Sequence, residues 1–347
     1  MLGTPSPRIR RAVTRTAAVV ALAALAVCVP LAAPGPAGAA PRLRTLRIAL
    51  DWTPNVDYLG IAAAIANGYF TKEGIRPDVL PYAGIPAETL LAQGKADLGL
   101  TYPPNIPAYR ASGLRYRAVA GLTQTNTDEL AVLKSSPYRS PAQLSGKLYG
   151  GFGVPSDPPI IETIMRDLGV AHPVFHQVVL NGTAYQALES GRVAYTSMFG
   201  GIDDITAELQ GAKLRTFPIR DYLGAAASFP NDAYVATSKE IRDDPSLLRH
   251  GLDALAQGYV FAAHDPTAAE QDLIRQNPTA LEHSHDIITA TGNATAPTFL
   301  TAAGRWGTLT ASQFSGITQI MAKAGLFHGH APPPPSDDFT DSLLPAG

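Results

Sequence analysis

With 347 residues, 46% of them hydrophobic and 16% charged, the chain is long and apolar enough for two cores, and wholesale disorder is excluded. Its 27 basic and 29 acidic residues give a net charge of −2, and with no basic cluster beyond the first 39 residues it is a poor partner for nucleic acid. Its only cysteine, Cys28, rules out an internal disulfide, so the fold must rest on packing.

The first 39 residues read as an export signal. Arg8, Arg10, Arg11 and Arg15 make a basic start with no acidic residue. An apolar run follows from Ala17 to Ala33, interrupted by Pro30, and Ala37-Gly38-Ala39 supplies a small-residue cleavage site. The run is short for a membrane span and is closed by proline and small residues. Leu25-Ala26-Val27-Cys28 stands where a bacterial lipobox would, so acylation of Cys28 is a second export reading, and Arg10-Arg11 hints at a twin-arginine route. The expected product is secreted or periplasmic. Removing four basic residues with the leader leaves 23 basic against 29 acidic, a net charge of −6.

From residue 46 strands alternate with helices. Leu46–Leu50 reads as a strand, Gly60–Asn67 as a helix, Ile75–Tyr82 as a strand, Ala87–Gln93 as a short helix and Ala96–Thr101 as an apolar strand. Ile106–Ala111 is helical, and Tyr116–Leu122 and Glu129–Lys134 are strands. The grammar then restarts. Pro137 and Pro141 bracket a turn, Lys147–Tyr149 is a strand and Ile160–Leu168 a helix. Phe175–Leu180 is a strand, Tyr185–Glu189 a helix and Gly191–Phe199 leads through a strand. Ile205–Gln210 is a helix and Thr216–Ile219 a strand. Two such blocks predict a two-lobed α/β protein with largely parallel sheets. After the strand Ala233–Thr237 the chain turns helical, over Ser246–Ala263, Thr267–Asn277, Ala296–Trp306 and Ser312–Ala324. The Pro332–Pro335 run and acidic tail read as a surface-wrapping or poorly ordered end.

Candidate ligand residues cluster at strand ends. Trp52 lies in the polar turn after the first strand, where an indole can stack on a flat ligand or pack into the core. Asn55 offers a donor and an acceptor, or caps a helix. Tyr102 ends a strand before Pro103-Pro104-Asn105 and faces either a cleft or a surface turn. The Gly150–Gly153 loop admits close backbone approach, with Phe152 as a cleft wall or core plug. Ser156 and Asp157 face a ligand or cap the following helix. No Gly-Lys-Ser/Thr follows, so this is no phosphate loop. His283/His285 and His328/His330 form two His-x-His pairs, with Asp286 adjacent, but no dense ligand cluster supports a metal. No cofactor is expected.

LRIALDWTPN (46–55), GYFTKEGI (68–75), LLAQGKADLGLTY (90–102), SPAQLSGKLYGGFGVPSD (140–157) and MFGGIDDITAELQG (198–211) together resemble the NMT1/THI5-like group over roughly residues 46–325. The resemblance implies an α/β fold of the bilobed, type II periplasmic-binding-protein kind, its two lobes joined by two crossover strands. Crossings are then expected near 134–140 and 226–234. Lobe one would span 45–135 plus 234–347, with the helical C-terminal third packed on it, and lobe two 138–228. It further implies a monomeric solute-binding protein, not an enzyme, delivering a thiamine-precursor pyrimidine or related heteroaromatic to the permease of an ABC importer. Related members bind sulfonates, taurine or nitrate, so an oxyanion held by helix N-termini is the alternative ligand. A pyrimidine-processing enzyme is the alternative from another class. The family's synthases carry a cysteine-rich motif absent here, and Tyr58 stands where their histidine is expected; Tyr58 can still stack or donate a hydrogen bond. Asp203 aligns with an acidic family position, although Ile202 replaces a tryptophan beside it. Its carboxylate is suited to pair with the ring N–H and exocyclic amine of an aminopyrimidine, or else to cap the helix in competition with Asp204.

Overall fold

Ten strands form two sheets in the computed structural model, which describes residues 42–180 and 184–345. The expected leader, residues 1–39 with Cys28, lies outside the described residues. The strands are β1 (Arg44–Ala49), β2 (Ile75–Leu80), β3 (Leu98–Thr101), β4 (Tyr116–Gly121), β5 (Asp128–Leu133), β6 (Leu148–Gly151), β7 (His176–Val179), β8 (Tyr195–Phe199), β9 (Leu214–Pro218) and β10 (Ala233–Thr237). Among the described residues the helices of seven residues or more are α1 (Leu59–Ala66), α2 (Asn105–Ala111), α3 (Asp157–Asp167), α4 (Asp203–Leu209), α5 (Pro245–His264), α6 (Pro266–Gln276), α7 (His285–Thr295) and α8 (Ala311–Lys323).

The first sheet runs β2-β1-β3-β10-β4 and the second β7-β6-β8-β5-β9. In each, the strand in fourth place is antiparallel to its neighbours: β10 against β3 and β4, β5 against β8 and β9. The flanking pairs β1/β2, β1/β3, β6/β7 and β6/β8 are parallel. The sheets are thus less uniformly parallel than strand–helix alternation implies. The antiparallel strand in each is the first one along the chain after a passage from the other sheet.

That topology corrects the expected first crossing. Asp128–Leu133 pairs in the second sheet, so the chain leaves the first sheet after Gly121, not near 134–140. Pro137 and Pro141 mark a turn within the second lobe, and the passage between sheets is the polar stretch 122–127. The return runs from Pro218 to Ala233. Asn231 ties the passages together: its Oδ1 accepts from the Thr127 amide at 2.7 Å, its Nδ2 donates to Thr127 Oγ1 at 2.7 Å, and its own amide donates to Thr123 Oγ1 at 2.9 Å. Buried groups bonded this fully fix the two connections against each other.

The C-terminal third divides between the lobes instead of packing wholly on the first. Helices α5, α6 and α7 cover the first sheet. Ile317, Ile320 and Met321 of α8 instead join Ile160, Ile161 and Ile164 of α3 in the second core. The expected helix 296–306 is replaced by a short 3₁₀ turn, Ala296–Thr298, and an antiparallel bridge between Leu300 and Trp306. Pro297 lacks a donor and Gly304 sits at φ 72°, so no helical ladder continues there. Helix α7 forms just before it despite weak helix formers, because Ile288, Thr291, Gly292 and Thr295 are buried. The tail wraps the surface: the Ala118 amide donates to the Asp338 carbonyl at 2.8 Å and the Thr340 amide to the Ala118 carbonyl at 2.8 Å, covering the outer edge of β4.

Candidate functional site

The turn after β1 is built from behind. In α1 and α5, Gly60 and Gly258 allow close contact: a Cβ on Gly60 would stand 2.3 Å from the Tyr259 ring, and one on Gly258 2.1 Å from the Gly60 carbonyl. Tyr259 is thereby held against the turn, and its hydroxyl donates to the Asp57 carbonyl at 2.7 Å. Asn55 accepts from the Asp57 amide at 2.7 Å and donates to the Thr53 carbonyl at 3.1 Å, so its side chain is used in capping. Tyr58 is buried, donates to Asp51 Oδ1 at 2.8 Å and accepts from the Trp52 amide at 2.9 Å. It positions the Asp51-Trp52 corner. The Trp52 ring stands 5.3 Å from Tyr82, tilted by 31°.

The facing wall comes from the second sheet. Gly151 has no room for a side chain, since a Cβ would fall 2.4 Å from the Tyr149 ring. Its glycine therefore serves packing of Tyr149. That phenol donates to Asp157 Oδ2 at 3.0 Å and shares a 2.8 Å hydrogen bond with Ser197. Phe152, 36% exposed, meets Trp52 edge-to-face at 5.0 Å, joining the two walls. Asp203 opens α4 and accepts from the Phe199 amide at 2.9 Å. Asp204 takes the local turn bonds, accepting from Gly201 and Ile205 amides. Ile202, in place of the family's tryptophan, packs against the core of the first lobe.

Two further contacts cross between the lobes. Tyr102 donates to Asp128 at the start of β5, with its ring 5.6 Å from Phe229. Ser156 is fully buried and bonded to Asn105 Oδ1 at 2.8 Å, which joins the starts of α3 and α2. Trp52, Phe152, Tyr102, Asp157 and Asp203 thus gather around one interlobe region. Asn55, Tyr58 and Ser156 support it through side chains already engaged.

Sequence reasoning passed over most of the carboxylates. Asp51, Asp57, Asp128 and Asp232 join Asp157 and Asp203 within mutual electrostatic reach. Burial drives each upward in pKa. Asp57 rises to about 8, burial being reinforced by Asp51 and Asp203. Asp128 rises to about 7 against the opposing Tyr102 bond, Asp157 to about 7 against Tyr149, and Asp203 to about 6. Burial also lifts Asp51 and Asp232, and the neighbouring Asp51 adds to the rise of Asp232. Among the described residues no Lys or Arg forms an ion pair with any of the six. Asp57 Oδ1 and Asp232 Oδ1 are buried without a hydrogen-bond partner. The signal was present in the sequence: Asp51, Asp128 and Asp232 each flank an apolar strand at an end where such sheets hold ligands.

The His-x-His pairs are exposed, with His285 at the start of α7, and among the described residues no three His, Cys, Asp or Glu side chains converge as metal ligands.

The family model described as NMT1/THI5 like matches residues 55–269. The chain belongs to the NMT1/THI5-like family. It is 26% identical over 244 residues to a formylaminopyrimidine-binding protein of Halalkalibacterium halodurans, covering 69% of this chain and 72% of the relative. To a putative thiamine biosynthesis protein of Haemophilus influenzae it is 28% identical over 247 residues, 68% of this chain and 74% of the relative. Among solved structures, the alkanesulfonate-binding protein of Xanthomonas axonopodis pv. citri superposes with a TM-score of 0.65 at 15% identity, covering 87% of this chain and 99% of that one. A Candida albicans protein with the generic periplasmic binding protein fold gives 0.63 at 12%, covering 88% and 99%. The fold is the bilobed α/β one these structures share.

Proposed function

We propose that the chain is an extracytoplasmic solute-binding protein that captures a flat, amine-bearing heteroaromatic, a thiamine-precursor pyrimidine, and delivers it as a monomer to the permease of an ABC importer. The observation carrying this reading is the joint between lobes: Trp52, Tyr82 and Phe152 bring aromatic faces together on the turn that also holds Asp51, and among the described residues no Lys or Arg forms an ion pair with Asp51, Asp57 or Asp203. A planar ring stacks on the aromatics while its N–H groups donate to Asp51, Asp57 or Asp203. A sulfonate would meet unbalanced negative charge there, and like charges brought together in a partly buried site repel. The formylaminopyrimidine-binding relative supports the pyrimidine side of this choice.

A thermal-shift panel of 4-aminopyrimidines, alkanesulfonates, taurine and nitrate tests the proposal. Aminopyrimidines are expected to raise the melting temperature, with a stabilisation of about 2.7 kcal/mol at a hundred times the dissociation constant. Stabilisation by sulfonates or nitrate alone would overturn it. Turnover of an added pyrimidine by the purified protein would replace the carrier with an enzyme.

A further inference from the structure

We infer that the cleft takes its heteroaromatic as a monocation, protonated on a ring nitrogen, and that Asp57 is the carboxylate against which the positive charge settles. This rests on the cleft being the ligand site, and it adds the charge state that the site selects.

Asp57 does none of the usual work of a buried acid. Its amide donates to Asn55 and its carbonyl accepts from Tyr259, so the backbone is fixed from both sides. The side chain caps nothing and pairs with nothing: it is 5% exposed, with Oδ1 unpartnered. Asp204, by contrast, is an acid whose oxygen is spent on two local amides. A desolvated carboxyl without a partner is costly, and a protein that needed only the turn would be more stable with an amide there.

The surroundings supply no countercharge. Asp51 on the β1 turn and Asp203 on α4 both push Asp57 upward, and Asp232, ahead of β10, lies within reach. Tyr58, Tyr234 and Tyr259 are the other titratable groups facing it, all phenols raised by burial. Helices α6 and α7 pack behind the turn. There Arg275 is paired with Asp272, Glu270 accepts from Thr289, and His285 and Asp286 are exposed. The positive charge that would let Asp57 ionise in the neutral range therefore has to come with the ligand. The aromatic walls of Trp52, Tyr82 and Phe152 fit a planar organic cation, and the carboxylates are not gathered as metal ligands.

Three probes that differ only in charge separate this from the broader reading: benzamidine, a fixed aromatic cation; benzamide, its neutral isostere; and benzenesulfonate. Calorimetry on the whole protein is expected to show benzamidine binding at least about tenfold tighter than benzamide, with benzenesulfonate not binding. In Asp57→Asn the benzamidine preference should collapse to within about twofold, while the unliganded protein melts higher than wild type. For 4-aminopyrimidine, apparent affinity should hold level while loss of the ligand proton is offset by ionisation of Asp57, and fall up to about tenfold per pH unit above about 8, where free base and carboxylate both predominate. Equal binding of benzamide and benzamidine, an unchanged preference in Asp57→Asn, or 4-aminopyrimidine affinity that does not fall above about pH 8 would each overturn the inference and leave the aminopyrimidine reading standing. Tightest binding by benzenesulfonate would remove both. Stabilisation by calcium alone would replace the organic cation with a metal.

Discussion

Two buried acids in this molecule are treated in opposite ways. Asp338, in the C-terminal tail, is completely buried, yet Arg110 Nε stands 3.0 Å from its Oδ1 and Thr318 donates to its Oδ2 at 3.1 Å. Burial lifts it to about 6, with Arg110 and Thr318 opposing the rise. Nearby Phe339 stacks on Phe314 at 5.5 Å with the rings nearly parallel. Asp57 is as deeply buried, has no cation beside it and rises to about 8. The tail uses charge and aromatics to close a sheet edge, and its buried carboxylate has a cation beside it. The joint between the lobes gathers the same residue types without a cation. A balanced pair is structural, whereas an unbalanced one is where the proposed ligand would sit.

The contrast breaks most visibly at Arg110. Arg110→Ala leaves Asp338 buried without its cation and should cost about 3–5 kcal/mol in urea unfolding, with aminopyrimidine affinity unchanged in the folded protein. Loss of affinity without loss of stability would reverse the roles assigned to the two regions. Trp52→Ala should do the opposite. Affinity should drop by about 2 kcal/mol in calorimetry, as for an aromatic anchor, while the melting transition moves little.

Acidity sharpens the comparison further. A carboxyl whose folded pKa is raised stabilises the fold below its unfolded value of 3.8, and that stability is lost as pH rises towards about 8 for Asp57. The melting temperature of Asp57→Asn should therefore match wild type in acid and exceed it increasingly through the neutral range. A gap that shrinks with rising pH would show that Asp57 is satisfied after all. The smallest effect is expected at Ser156→Ala. It removes one bond across the lobes, to Asn105, and should lower the closed-state stability by about 1 kcal/mol, read as a modest rise in the dissociation constant.

Strand–helix alternation carried most of the fold, because the apolar stretches around Ile48, Leu98 and Leu130 bury regardless of what they pair with. It misplaced the first crossing, since Asp128–Leu133 is equally apolar in either sheet and only pairing with β8 and β9 decides. Proline at 137 and 141 offered the more visible break. At the site, Trp52 and Phe152 stood out by residue type and by the turns around them. Asn55 and Ser156 were equally visible, but their side chains are taken up by the backbone and by Asn105. Asp57 was not legible, because an acid in a turn is usually solvated, and Asp232 showed only as an acid flanking a strand. Only the three-dimensional assembly shows that these two are enclosed without a cation.

The most direct test is a pair of calorimetric titrations on one preparation of the protein, with 4-aminopyrimidine and with an alkanesulfonate. Saturable one-to-one binding of the aminopyrimidine and no heat from the sulfonate is the expected result. Saturable sulfonate binding with no response to the aminopyrimidine would contradict the reading of the cleft as an acidic, aromatic trap for a heteroaromatic amine.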